Sequence, residues 1–240
     1  EFSIFLDKLP NDEASAVIGF FRNITFENEF EKIRFVYCGS IGIDLVLDKI
    51  KNTGHNIGDP LNHMDVYELE SFSDENAIYF GKCLNLGCDL DLTVELIKMI
   101  CEKSDNIPYF IDIVFDKITK SRKNTIIEKI EDAFEEIVND TKGKASIKHF
   151  YDRIEHFYPS HEISIYILNF VSKSTMLVTE SEIASNVLTN TTEINRIEIN
   201  KEIERLKNDG YLFRESIEEE RAYGFKYSLL KLWWKRNKAY

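Results

Sequence analysis

Cysteine, proline and glycine are scarce in this chain: 240 residues hold four Cys, four Pro and ten Gly. So little glycine, with no fixed period, excludes collagen-like and repeat architectures. The four cysteines offer no metal framework. Cys83 and Cys88 stand five apart, not in the CxxC spacing of a zinc knuckle, and no His or Cys pair nearby completes a set. Cys38 closes an apolar run and Cys101 falls on the apolar side of a helical stripe, so both read as small buried hydrophobes. The N-terminus lacks the basic flank and small-residue cleavage site of a signal peptide. The thiols therefore read as reduced, in a cytoplasmic protein. No stretch approaches the ~20 apolar residues of a membrane span.

Several chemical signatures are missing as well. There is no Gly-x-x-x-x-Gly-Lys-Ser/Thr phosphate loop, no HExxH and no Gly-x-Ser-x-Gly. His156 and His161 flank Phe157-Tyr158-Pro159 without metal-ligand spacing. Positive charge is in deficit: 30 Lys and Arg face 42 Asp and Glu, a net charge of −12. Such a chain is repelled by phosphate backbones unless it segregates a basic patch. Its last ten residues do so, with Lys231, Lys235, Arg236 and Lys238 and no acid. Two readings stand: a solvated tail that favourably ends a helix, or a nucleic-acid or partner contact.

What is present divides into three rhythms. In the first, short apolar runs alternate with helical stripes. Residues 2–6, 34–38 and 64–69 read as strands. Between them, Asn11 caps a helix carrying Ala14, Val17, Phe20 and Phe21, and Ile43, Val46, Leu47 and Ile50 form a second stripe. Residues 52–60 read as a loop by composition. Strands separated by helices imply a parallel sheet, and three strands are only part of one.

The second rhythm is helical. Ser73 caps a segment with Asp74 and Glu75 in its first turn. Residues 92–102 carry Val94, Ile97 and Cys101 on one side. Pro108 opens the cleanest helix, with Phe110, Ile111, Val114, Phe115 and Ile118 at helical spacing. Ile126, Ile130, Phe134, Ile137 and Val138 mark another, and residues 141–144 form the linker. In the third, Ile163, Ile167, Phe170 and Val171 give a short helix. Thr179-Glu180-Ser181-Glu182 is a capping box opening the next. Asn190 caps a third, which ends at Gly210. Residues 211–214 and 222–227 then flank an acidic turn at Glu218-Glu219-Glu220, and residues 229–234 begin a last helix. Three helices followed by a hairpin is the winged-helix order.

The order of Glu1-Phe2-Ser3-Ile4-Phe5-Leu6, the 34–42 run, Met64 to Leu69, Ile107-Pro108-Tyr109-Phe110 and the aromatic-rich 225–234 tail resembles the C-terminal two-thirds of a prokaryotic AAA+/STAND P-loop ATPase of the archaeal type. The resemblance implies a fold class: an α/β remnant of the P-loop core over 1–70, an all-α lid over 71–145 and a winged-helix domain over 146–240, mostly helical overall. It implies that Glu1 matches the Walker B glutamate, which orients the attacking water, with its magnesium-binding Asp upstream. It implies that Ser40, beside Gly39, is the sensor near the γ-phosphate, and that Pro108 borders the adenine. Asn106 departs from the family's Gly-x-Pro at that place. ATP and Mg are implied for the intact parent protein, with a phosphate loop upstream of residue 1. Without that loop the present chain should not hydrolyse ATP.

The function so implied is a nucleotide-dependent switch, in which lid and winged helix transmit the nucleotide state to a protein partner. Direct DNA binding is disfavoured by the third helix. From 193 to 209 it carries Arg196, Lys201, Arg205 and Lys207 against Glu193, Glu198, Glu202, Glu204 and Asp209. The rivals are a winged-helix DNA-binding regulator and a protein-interaction scaffold without ATPase activity.

Overall fold

The structure, a computed structural model, describes residues 2–27, 35–37, 43–52, 64, 65, 67, 69–140, 147–190 and 194–239. It divides into two compact units, Glu1–Glu68 and Leu69–Tyr240.

The first unit is helical. Helix α1 (Phe2–Asp7) leads through Pro10 into α2 (Asn11–Phe26), and α3 is Ile43–Asn52. The strand expected over residues 2–6 is therefore wrong. A five-residue apolar run fits period 2 and period 3.6 alike. The helical choice puts Phe2 and Leu6, one turn apart, against a core of Ala14, Ile18, Val46, Leu47 and Ile50. Pro10, not Asn11, is the cap position of α2, and Asn11 is its first residue. Lys49 pairs with Asp7 at 2.6 Å, tying α3 to α1. Phe35–Tyr37 stand in no strand, nor do Met64, Asp65, Tyr67 or Leu69, so the partial parallel sheet does not appear among the described residues. Instead Tyr37 stacks on Phe2, with ring centroids 4.5 Å apart.

The second unit begins with four helices, α4 (Asp74–Gly87), α5 (Val94–Lys103), α6 (Pro108–Lys120) and α7 (Ile126–Asn139). Ser73 caps α4 and Thr93 caps α5, each accepting from the backbone N–H three residues on. Thr125 and Glu128 form a full capping box on α7. Helix α6 is central: Phe110, Ile111, Val114, Phe115 and Ile118 are all buried. Helices α4 and α5 approach closely at Gly81, where an added Cβ would lie 2.6 Å from Ile97 Cγ2. Cys101 is buried there, and its thiol donates to the Ala77 carbonyl. The 141–144 linker and Cys38 lie outside the described residues.

The rest of this unit runs α8 (Lys148–Phe157), α9 (His161–Lys173), β1 (Val178–Thr179), α10 (Glu180–Asn190), α11 (Arg196–Asn208), β2 (Leu212–Ile217), β3 (Glu220–Phe225) and α12 (Ser228–Asn237). The three strands form a small open antiparallel sheet in the order β1-β3-β2. The Thr179 box forms as expected, with reciprocal bonds between Thr179 and Glu182. Asn190 does not cap α11. It ends α10, and Asn195 caps α11 in a box with Glu198. Both asparagines precede the same apolar stripe, and each has a Glu three residues on, Glu193 and Glu198, so the box pattern by itself does not choose between them. Gly210 turns the chain after α11 with φ +76, the left-handed geometry glycine accepts without strain.

The β2–β3 loop is a two-residue turn, because Ile217 pairs with Glu220. Its residues Glu218 and Glu219 have φ of 49° and 68°. Positive φ at both positions is what hairpin twist demands, and Asn-Gly satisfies it best. Two glutamates there hold a conformation that costs roughly 1–2 kcal/mol each. The double change Glu218→Asn, Glu219→Gly is expected to stabilise the protein by about 1 kcal/mol after the added chain entropy of glycine. Thermal unfolding checks this: a lower Tm than the parent's would rule the strained turn out.

Candidate functional site

Of the residues singled out in sequence, Glu1, Gly39 and Ser40 lie outside the described residues. Pro108 occupies the first position of α6, where a missing N–H leaves no bond unmade. Ile107 before it is extended, as a residue preceding proline prefers. The turn leading there is unusual. Asp105 and Asn106 both have positive φ, 53° and 55°. Asp and Asn tolerate that region better than other side chains. Three bonds of Asn106 help fix the turn: Asn106 N–H to the Cys101 carbonyl at 2.9 Å, Phe72 N–H to the Asn106 carbonyl at 3.0 Å, and Asn106 Nδ2 to Asp74 Oδ1 at 2.7 Å. The Asp105 carboxylate accepts from Ser228 N and Ser228 Oγ, at 2.6 and 2.7 Å. Burial pushes the Asp105 carboxyl above its ordinary range, against the lowering effect of those Ser228 bonds. Burial, then the charges of Glu102 and Asp74, pushes the Cys101 thiol up to about 11. The turn beside Pro108 is thus rich in carboxylate, a poor setting for phosphates.

The four basic residues of the tail fall on α12 and its C-terminal end, and their fates differ. Arg236 donates to Asn139 Oδ1 at 3.0 Å and lies 3.4 Å from Glu135 Oε1. Lys238 stands over the Tyr151 ring, 3.3 Å from its centroid. Burial lowers the Lys238 amine, with Glu155 opposing and Lys148 adding to the effect. Lys231 and Lys235, one turn apart, have no ion-pair partner among the described residues. Burial and then the Lys235 charge lower the Lys231 amine. Two of the four cations are therefore engaged by other side chains of the same chain, Arg236 at the surface.

The same holds for α11. Arg205 pairs with Glu202, which is only 3% exposed and also accepts from Ser164 Oγ at 2.9 Å. Lys207 and, from β2, Arg214 both reach Glu204, at 3.0 and 3.2 Å. Burial would raise the Glu204 carboxyl, but bonds from Lys207 and Tyr223 and the charges of Lys207 and Arg214 hold it below its ordinary range. Arg196 Nη2 donates to Ser181 Oγ at 3.0 Å. Phosphate contacts need free cations, and here α11 spends most of its cations on its own fold. The Arg205–Glu202 and Lys207–Glu204 pairs are i, i+3 neighbours on α11, whereas the Arg214–Glu204 pair joins β2 to it.

An open hollow of about 460 Å³ lies along α6 and α7, lined by Lys117, Asp132, Glu135, Glu136, Asn139 and Asp140. Four carboxylates against one amine disfavour an anionic ligand there. Among the described residues no three His, Cys, Asp or Glu side chains are grouped to hold a metal ion. These residues do not supply a cradle for Mg and triphosphate. No described helix is long and apolar enough to cross a membrane.

No protein-family model matches this chain. No curated protein matches it either. Among solved structures, it is similar to a Walker-type ATPase of Pyrococcus abyssi, with a TM-score of 0.55 and 14% identity. The likeness covers 79% of this chain and 50% of that one, so this chain spans about half the length of the ATPase it matches. At that identity the likeness is one of fold: a mostly helical chain with a small open sheet, of the kind found in a P-loop ATPase.

Proposed function

We propose that this chain is a portion of a nucleotide-dependent switch protein of the AAA+/STAND kind. In this reading α4–α7 are the helical lid and α8–α12 a winged helix that carries the nucleotide state to a protein partner. The observation that carries it is the fold likeness to a Walker-type ATPase over 79% of the chain. The order α9-β1-α10-α11-β2-β3 supports the winged-helix part. The internal pairing of Arg205, Lys207 and Arg214 favours a protein partner over DNA. ATP and Mg belong to the parent protein, whose phosphate loop would supply the anchoring that these residues lack. Pro108 then borders the adenine, Ser40 with Gly39 reads the γ-phosphate, and Glu1 orients water. Differential affinity of the nucleotide for two arrangements of the lid would drive the switch.

The longest natural protein that contains this chain provides the test. ATP binding followed by calorimetry should weaken at least fivefold in Ser40→Ala and measurably in Pro108→Ala. Unchanged affinity and turnover in both variants would remove the site assignments. Absence of any nucleotide binding by that protein would remove the switch, and leave a scaffold.

A further inference from the structure

Helix α12 has no side-chain cap of its own: Tyr227 stands at its cap position and gives no such bond. The first N–H groups of a helix need acceptors. Here one comes from 123 positions earlier in the chain, because Asp105 takes both the Ser228 N–H and the Ser228 hydroxyl. A carboxylate at that end also meets the positive pole of the helix. The turn that presents it is held in two consecutive left-handed residues and pinned by the Asn106 bonds to Asp74, Cys101 and Phe72. Strain of this kind persists where surrounding structure over-determines it. At the other end of α12, Arg236 reaches Glu135 and Asn139, and Asn237 Nδ2 donates to the Val138 carbonyl at 3.0 Å. Between the ends, Leu229, Leu230, Trp233 and Trp234 are buried, and Trp234 Nε1 donates to Asn169 of α9 at 2.8 Å.

We propose that α12 is a strap fastening the α8–β3 segment onto the α4–α7 segment, and that Asp105 is its catch. With the catch engaged the two segments move together. Releasing it frees both ends of α12, since one ten-residue rod spans them. The inference rests on contacts within one unit and holds whatever the protein binds.

Hydrogen exchange on the full chain tests it. Glycine accepts the backbone of position 105 without strain, so Asp105→Gly removes the catch and keeps the turn. Amide exchange is expected to rise at least tenfold along α12 and, with it, in the last turn of α7 at Val138 and Asn139. Arg236→Ala should raise exchange over the same two places. Ser228→Ala, which deletes a single hydroxyl, should do so more weakly and serves in place of Asp105→Gly if that variant does not fold. Exchange that rises only in the 104–108 turn and the first turn of α12 would overturn the strap. So would greater stability in Asp105→Gly, the outcome for a residue that is merely strained.

Discussion

Replacing Trp234 by Ala is expected to destabilise the Leu69–Tyr240 unit by about 3–5 kcal/mol, the usual cost of deleting a buried Trp. Trp234 is fully buried, and its ring meets Phe225, Trp233 and Tyr151 at centroid distances of 6.1, 6.0 and 5.7 Å. Its indole N–H has a partner in Asn169, so the change also strands a polar acceptor. The neighbouring Trp233 offers an internal control. It is equally buried, but its Nε1 has no hydrogen-bond partner among the described residues. Trp233→Phe keeps most of the ring and removes an unpaired donor, whose burial is unfavourable. Denaturant unfolding should therefore show a large drop in midpoint for Trp234→Ala and a small change for Trp233→Phe. Equal, small effects would mean that α12 is not docked as described.

Arg205→Ala should be comparably severe. The Arg205 and Glu202 side chains are 12% and 4% exposed, and Arg205 also lies over the Tyr158 ring, 5.9 Å from its centroid. Removing one partner of a buried pair leaves the other charge without compensation, typically at about 3–5 kcal/mol. The pair as a whole is a different matter. Replacing both residues by apolar or neutral groups of similar size is often close to neutral. The double variant Glu202→Gln, Arg205→Met should recover most of the stability lost in Arg205→Ala. If Arg205 instead stayed free for a nucleic-acid phosphate, its removal would leave the unfolding midpoint unchanged and weaken binding.

Some helix ends were legible in the sequence, while the caps at Thr93, Thr125 and Asn195 were not read from it. Ser73, the Thr179 box and Gly210 sit where local chemistry alone requires them, because the bonds involved span three or four residues. The α6 stripe was equally plain, since thirteen residues sample the helical period more than three times. Residues 2–6 were not, because a run that short carries both periods at once. Asn195 was missed as the α11 cap in favour of Asn190, because each has a Glu three residues on, Glu193 and Glu198, and local chemistry does not separate them.

The candidate site divides in the same way. Pro108 was readable as a helix start from its own chemistry. The Asp105-Asn106 dipeptide before it is a turn signal, yet nothing local says that its carboxylate caps a helix 123 positions away.

The sequence by itself determined the helical order of residues 73–139, the hairpin and the acidic balance, all of which depend on neighbours along the chain. Only the tertiary structure decided that residues 2–6 are helical, that Arg236 engages Glu135 and Asn139 and Lys238 the Tyr151 ring, and that Asp105 caps α12. Those outcomes depend on which side chains burial brings together, and burial joins residues that sequence spacing leaves far apart.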